Sequence, residues 1–394
     1  MLSCRRLGDR PAGRALVQTL IRYNRDLRID FFRGIAFWCI FIDHLMIGNL
    51  RLITLKQYGF CDAAEWFILL SGILAGIAYE RAWTRDGLRA ARLKIARRAF
   101  AIYRTHVVIY LLFLVEVGIV MGILQPTGFL EMLYLNQPGA RSVPGIVNAV
   151  LLREQPRFFD ILPVYVLLLL LLSVVLPLVR RPRMLLGGSI VLYAATNTLH
   201  LAFKGTENWF LNPLAWQLLF MIGVTAPYIL KAKNYWRGWD WMAAIFSLFG
   251  LLETHVPHLA HHVPSALLLH FEPDKTTLHP LRIVSVLSYA WLVWRYIPAG
   301  AQWMKSSWAK PIILLGQHPL EVFASSILFS VLGNALLAAY WGTTSQILVQ
   351  ALGTAALVAA AAVFAMSASA NQKDRKARVI SGRKEDRKSD LVAV

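Results

Sequence analysis

The sequence predicts an all-α fold: a polytopic membrane helix bundle of about ten transmembrane helices. Three observations carry that expectation. Apolar stretches recur along the whole chain at lengths near the ~20 residues that a bilayer core requires. Of the 394 residues, 57% are hydrophobic and only 16% charged, where a soluble domain carries roughly 25% charge. Lysine and arginine gather in alternate loops and at the two ends, as the positive-inside rule requires of a multi-pass protein.

The first span is expected at 34–50. Arg25, Asp26, Arg28, Asp30 and Arg33 form a charged approach to it, residues 37–42 are apolar, and Asp43 and His44 lie deep beyond them. The second, at 63–80, opens with Asp62-Ala-Ala-Glu65, acidic residues that suit a helix N-terminus. Both are short and polar, the character of spans that line a site. The remaining spans are expected at 100–124, 159–179, 184–202, 211–230, 238–254, 281–298, 310–333 and 345–369. They are rich in Leu, Val, Ile and Ala, with Trp and Tyr near many ends, as in an interfacial belt. Gln317-His318-Pro319-Leu320-Glu321 interrupts the ninth, because proline breaks the hydrogen-bond ladder. Gly72-Ile-Leu-Ala-Gly76 spaces two glycines for close helix packing.

With ten spans, the basic segments at 1–28, 81–104, 180–183, 231–237, 305–310 and 373–388 all fall on one side. Both termini are then cytoplasmic. The opposite loops, about 51–62, 125–158, 203–210, 255–280 and 334–344, are sparser in cations for their length. Three regions follow: a cytoplasmic N-terminal segment 1–24, a transmembrane domain 25–370, and a basic tail 371–394 expected to be disordered. The net charge of +19 thus reflects topology, not a surface for nucleic acid. Cys4, Cys39 and Cys61 match neither a disulfide framework nor a metal pattern. The first thirty residues are Arg-rich and polar, so no cleavable signal peptide is expected.

The chemistry is concentrated in the first span. An ionisable residue at membrane depth costs roughly 3 kcal/mol or more, so it faces a bundle interior or a wet cavity. Arg33 and His44 are eleven positions apart, which on a helix is about 20° past three turns and a rise of roughly 16 Å. They share one face, the arginine at the cytoplasmic mouth and the histidine inside. That arrangement suits a long anionic ligand whose reactive end reaches inward, and coenzyme A thioesters have this shape. Arg28, Asp30 and Arg33 are therefore expected at the donor side. His44 is the candidate general base for an acceptor hydroxyl. Its neighbour Asp43 points about 100° away and is a poor direct orienter, though it can support the site. The competing reading is that Asp43 and His44 only tie helices together.

Glu65 is expected to orient His44 or hold a substrate hydroxyl, with Asp62 at the same end of the bundle. Ser71 and His318 are candidates to steady an oxyanion. Asp160, Asp274, Lys275, Arg282 and Glu321 sit at helix mouths, where a cavity role and a structural tie are both open. Cys39 lies about 140° round the helix from His44, so direct transfer is preferred to a covalent intermediate. His255, His258, His261, His262, His270 and His279 crowd one outer loop, but Leu259 stands where a His-Glu-x-x-His motif needs its glutamate. No metal and no tightly bound cofactor are expected.

Together these residues resemble a known family. Arg25-Asp-Leu-Arg-Ile-Asp30, Arg33-Gly34, Phe41-Ile-Asp-His44, Gly59-Phe60, Asp62-Ala-Ala-Glu65 and Leu70-Ser-Gly72 are similar to the opening signature of the OpgC family. Later stretches agree: Phe158-Phe-Asp-Ile-Leu-Pro163, Asn212-Pro-Leu-Ala-Trp-Gln217, Asp274-Lys275 with Leu281-Arg282, and Leu315-Gly-Gln-His-Pro-Leu-Glu-Val-Phe323. The family is known as inner-membrane proteins that succinylate osmoregulated periplasmic glucans, within the type 3 membrane acyltransferases. There an Arg and a His eleven residues apart mark the first span, and Arg33 and His44 match them. The resemblance implies a bacterial inner-membrane O-acyltransferase. An acyl-CoA donor, succinyl-CoA in the family's own reaction, would enter from the cytoplasm, and a periplasmic glycan would be the acceptor. The His-rich loop has no part in the pattern. Two other classes stay open: a transporter or exporter of a glycan or small solute, which also needs buried charge, and a membrane scaffold with a lipid-binding tail.

Overall fold

A computed structural model describes residues 26–136, 139–202, 209–230, 236–255 and 273–392, with side chains up to residue 370. The N-terminal segment, Arg25 included, and residues 256–272 of the His-rich loop lie outside the described residues.

The chain opens with α1 (Leu27–His44). Asp26 caps it by accepting from the Arg28 amide at 3.1 Å. The helix starts seven residues before the expected span and ends six before its expected close. His44 is therefore its last residue, not a mid-span one. Leu45 turns extended there, and Gly48, with φ of 148°, leads into two 3₁₀ turns, Asn49–Ile53 and Leu55–Tyr58.

A helical stretch then runs Ala63–Ile123 and is interrupted at Gly87, whose φ of 87° no helix accommodates. It is divided here into α2 (Ala63–Asp86) and α3 (Leu88–Ile123). Asp62 and Glu65 form a capping box at its start, which explains the acidic pair. Residues 81–99, expected as a basic loop, are instead helical on both sides of that break. α3 has 36 residues, or about 54 Å of helix against a hydrocarbon core of about 30 Å. Its arginine-rich first turns can therefore stand outside the apolar layer.

Two short helices, α4 (Phe129–Met132) and α5 (Val143–Val150), lie in the segment that follows α3. Then follow α6 (Ile161–Val175), α7 (Pro182–Leu199), α8 (Pro213–Ile229), α9 (Gly238–His255) and α10 (Pro280–Tyr296). The ninth expected span is two helices, α11 (Ala309–Gln317) and α12 (Pro319–Ala339), parted at His318 before Pro319. The last, α13, runs Thr343–Val392. Its backbone stays helical through the expected disordered tail, because helix-forming Ala, Arg, Lys and Gln continue with no proline.

No strand occurs among the described residues. Among the described residues five helical stretches are long and apolar enough to cross a membrane: α2, α3, α6 with the 3₁₀ turn that extends it to Arg180, α12 and the 343–370 part of α13. α8 is apolar but shorter. α1, α7, α9 and α10 coincide with expected spans but are shorter or less apolar than that standard. The outer faces carry exposed Ile119, Ile245, Leu348, Leu352 and Val363, the surface a lipid-embedded bundle presents. Inside, α2 lies against α8. A Cβ on Gly72 would sit 2.3 Å from the Phe220 carbonyl oxygen, and one on Gly223 2.4 Å from that of Leu69, so the expected glycine contact is a helix crossing. α1 lies equally close to α11, where a Cβ on Gly316 would fall 1.8 Å from the Asp30 carbonyl oxygen.

Candidate active site

Two polar regions lie at opposite ends of α1. The one at its C-terminal end is built around His44. Asn334, buried in α12, donates to the His44 carbonyl at 2.8 Å and accepts from the Met46 amide at 2.8 Å. It replaces the ladder bonds that α1 loses at its C-terminus. Gln350 of α13 accepts from the Leu50 amide at 3.1 Å and reaches the Ile47 carbonyl at 3.5 Å. Asp43 does not touch the imidazole; it accepts from the hydroxyl of buried Thr54 at 2.8 Å. The His44 Nδ1 is buried and has no hydrogen-bond partner among the described residues.

The imidazole instead packs on Phe158, with ring centroids 4.5 Å apart and planes tilted by 34°. Phe158 adopts a left-handed backbone (φ 79°), a costly conformation for a bulky residue. Arg157 lies over the same ring at 5.8 Å and over that of Tyr134 at 5.4 Å. Charges of Lys275, Arg157 and Asp62 act on His44, so the field at the imidazole comes from three elements far apart in sequence.

Beside it stands an ion network. Lys275 contacts Asp62 at 2.6 Å, while Arg282 contacts Asp62 at 3.1 Å and Glu65 at 2.6 Å. Burial alone would raise the Asp62 carboxyl, but Lys275 and Arg282 outweigh it and hold the group below the usual carboxylate range. Burial likewise disfavours the Lys275 ammonium, and Asp62 reverses this to keep it above the ordinary lysine value. The loop that carries Lys275 is set by Asp274, which accepts from the Thr276 and Thr277 amides at 3.0 and 2.8 Å. Trp216 Nε1 donates to the Lys275 carbonyl at 3.0 Å, and the Asn212 amide donates to Thr276 at 2.9 Å.

Several expectations are corrected by these contacts. Glu65 does not orient His44. It is completely buried and its oxygens serve Arg282 and the Asp62 amide, because a carboxylate at that depth needs both a cation and a capping donor. Arg28 is not open to donor phosphates. It pairs with Asp26 at 2.7 Å and donates to the Trp294 and Ile297 carbonyls, which end α10 without helical partners. Asp274 braces its own loop through Thr276 and Thr277.

Toward the N-terminal end of α1, Arg33 donates through Nε to the Gly316 carbonyl at 2.7 Å and also through its second nitrogen. It pairs with Asp30 at 3.2 Å, and both are buried. The break before Pro319 leaves the last α11 carbonyls unpaired, and Arg33 satisfies that of Gly316. A cavity of about 60 Å³ borders Arg33 and is lined also by Ser71, Arg98, Tyr165 and Pro319. His44 is not among its lining residues. Still, both residues face the same side of α1: Leu162 and Tyr165 of α6 border the Arg33 cavity, and Phe158 just before α6 covers His44. His318 sits at the α11–α12 break with Glu321 one turn on, while Asp160 stands at the start of α6. Sequence reasoning missed Asn334 and Gln350; polar residues inside spans 310–333 and 345–369 were a signal only loosely, since Asn334 falls one residue past the expected end, whereas Arg98 belongs to the basic 81–104 segment already singled out.

The family model described as OpgC protein matches residues 25–370. No curated protein and no solved structure matches the chain.

Proposed function

The chain belongs to the OpgC family, and from that premise we propose that it is a membrane O-acyltransferase moving an acyl group from a cytoplasmic acyl-CoA to a hydroxyl of a periplasmic glycan. Ten spans in the bacterial inner membrane, with both termini cytoplasmic, complete the proposal. The observation that carries it is His44: an imidazole at the outer end of α1 whose Nδ1 has no partner among the described residues, on the same side of the helix as the Arg33 cavity.

In the proposed reaction His44 takes the proton of the acceptor hydroxyl. The oxygen then forms a bond to the thioester carbonyl carbon, the carbon–sulfur bond breaks, and the thiolate leaves and recovers the proton from the imidazolium. Arg33 and Arg98 give the inner cavity a positive lining for an anionic donor. Ser71 and His318 are the proposed partners of the oxyanion. Asp43, through Thr54, steadies the turn that follows His44. Succinyl transfer to a glucan is the finer form of the same proposal.

The test is transfer of a labelled acyl group from the thioester to a glycan by purified wild type, His44→Ala and Arg33→Ala. Wild type transfers, His44→Ala falls by at least 10²-fold, and Arg33→Ala loses thioester affinity. Unchanged transfer in His44→Ala removes the base. Glycan movement across vesicles without thioester consumption replaces the enzyme with an exporter.

A further inference from the structure

The outer loop between α3 and α6 holds a cleft of about 570 Å³ that the proposed chemistry leaves unused. That volume is within the range of small-molecule sites. Tyr110, Tyr134, Ser142, Asn148, Glu154 and Gln155 supply its polar lining, and among the described residues no lysine, arginine or histidine lines it. The cleft has none of the cations that a phosphate-bearing donor would need. Aromatic faces beside an amide and a carboxylate instead suit a neutral polyhydroxyl ligand, whose C–H faces pack on rings while its hydroxyls bond to acceptors.

The polar groups are also available. The side chains of Asn148 and Glu154 make no hydrogen bond among the described residues. Gln155 Oε1 is buried without a partner, although the same amide reaches the Ala149 carbonyl at 3.5 Å. A buried acceptor left unmade is costly, and a ligand hydroxyl can satisfy it. The walls are pinned by Tyr103, which donates to the Val150 carbonyl at 3.1 Å, and by Trp209, which donates to that of Leu152 at 2.9 Å.

The cleft is joined to His44. Tyr134 lies on its rim, 57% exposed. Arg157 spans from the Tyr134 ring to the Phe158 ring, and Phe158 covers the imidazole. We propose that this cleft docks a neutral saccharide segment of the acceptor, with Tyr134 as stacking platform, Asn148, Glu154 and Gln155 as hydroxyl partners, and Arg157–Phe158 setting the distance to His44. The proposal deepens the transferase reading and rests on it for the identity of the acceptor.

Binding is measured without thioester, by calorimetric titration of a glucose tetrasaccharide into the full chain in nanodiscs. Wild type binds; Tyr134→Ala, Asn148→Ala and Glu154→Gln each bind about tenfold more weakly, the effect of one lost contact of ~1.4 kcal/mol. Tyr134→Phe, which keeps the ring, retains binding and controls for folding. In transfer assays the KM for the tetrasaccharide rises about tenfold in the same variants while that for the thioester stays put. If wild type transfers but these variants keep both binding and KM, the cleft is refuted and the transferase stands. If wild type binds and the variants do not, yet no transfer occurs, the cleft stands and the transferase falls. Failure of wild type to bind, or displacement of the sugar by a neutral tetrapeptide, overturns the cleft.

Discussion

Phe158 holds its ring 4.5 Å from the imidazole of His44, and it does so from a left-handed backbone. A bulky residue in that region costs about 1–3 kcal/mol, and it persists only where surrounding packing over-determines it. Here the overriding contacts are the buried ring itself and Arg157 above it. The strain places an apolar cover over the imidazole whose buried Nδ1 has no partner among the described residues.

Replacing that cover separates its ring from its bulk. Phe158→Leu keeps an apolar side chain but loses the flat face, so transfer is expected to fall about tenfold with little change in expression. Phe158→Gly relieves the backbone but opens a hole, and large-to-small core changes cost ~3–5 kcal/mol. Its unfolding midpoint should therefore drop despite the relaxed φ. A Phe158→Leu variant with wild-type rates would show that the ring contact is incidental.

Asn334 closes the end of α1 by serving both a carbonyl and an amide. Asn334→Leu leaves two polar groups unpaired, at about 1–3 kcal/mol each. Thermal unfolding in detergent should show a clear loss, with transfer falling further than stability because His44 itself is displaced. Asn334→Asp keeps the acceptor for Met46 and should recover part of the midpoint. Equal midpoints in wild type and Asn334→Leu would exclude the clamp.

Glu65 and Arg282 are a buried pair. Removing one partner strands the other, which typically costs ~3–5 kcal/mol, whereas removing both is far milder. Arg282→Met should be severely destabilised, and Glu65→Leu with Arg282→Met should be more stable than Arg282→Met alone. Unfolding midpoints of the four proteins in a double-mutant cycle decide it; additive losses would deny the coupling.

The Asp62–Lys275 pair sets a pH window. The Asp62 carboxyl is held below its unfolded value near 3.8, so its contribution is present above that pH and is lost as pH falls through the folded value. The Lys275 ammonium is held above its unfolded value near 10.5, so its contribution is complete below that pH and is lost as pH rises through the folded value. Lys275→Met should flatten both limbs of a midpoint-against-pH curve. Superimposable curves would mean that the pair adds no stability.

The sequence by itself determined the helical class, the family, and the approximate placement of the apolar helices, because apolar runs, caps and proline are local signals. Asp62 with Glu65 marked a helix start, Pro319 marked a break, and Gly72 with Gly76 marked a close crossing. Eleven-residue spacing predicts one shared side of α1 for Arg33 and His44. Only the tertiary structure decided partners. Glu65 turned to Arg282, which is 217 residues away, and Arg28 turned to the end of α10. Asn334 and Gln350 became clamps for the turn after His44, and Phe158 became its cover. A helix period says which way a side chain points, but a hydrogen bond or ion pair depends on what another helix brings to that spot. That meeting is set by packing across the bundle, which no local pattern encodes.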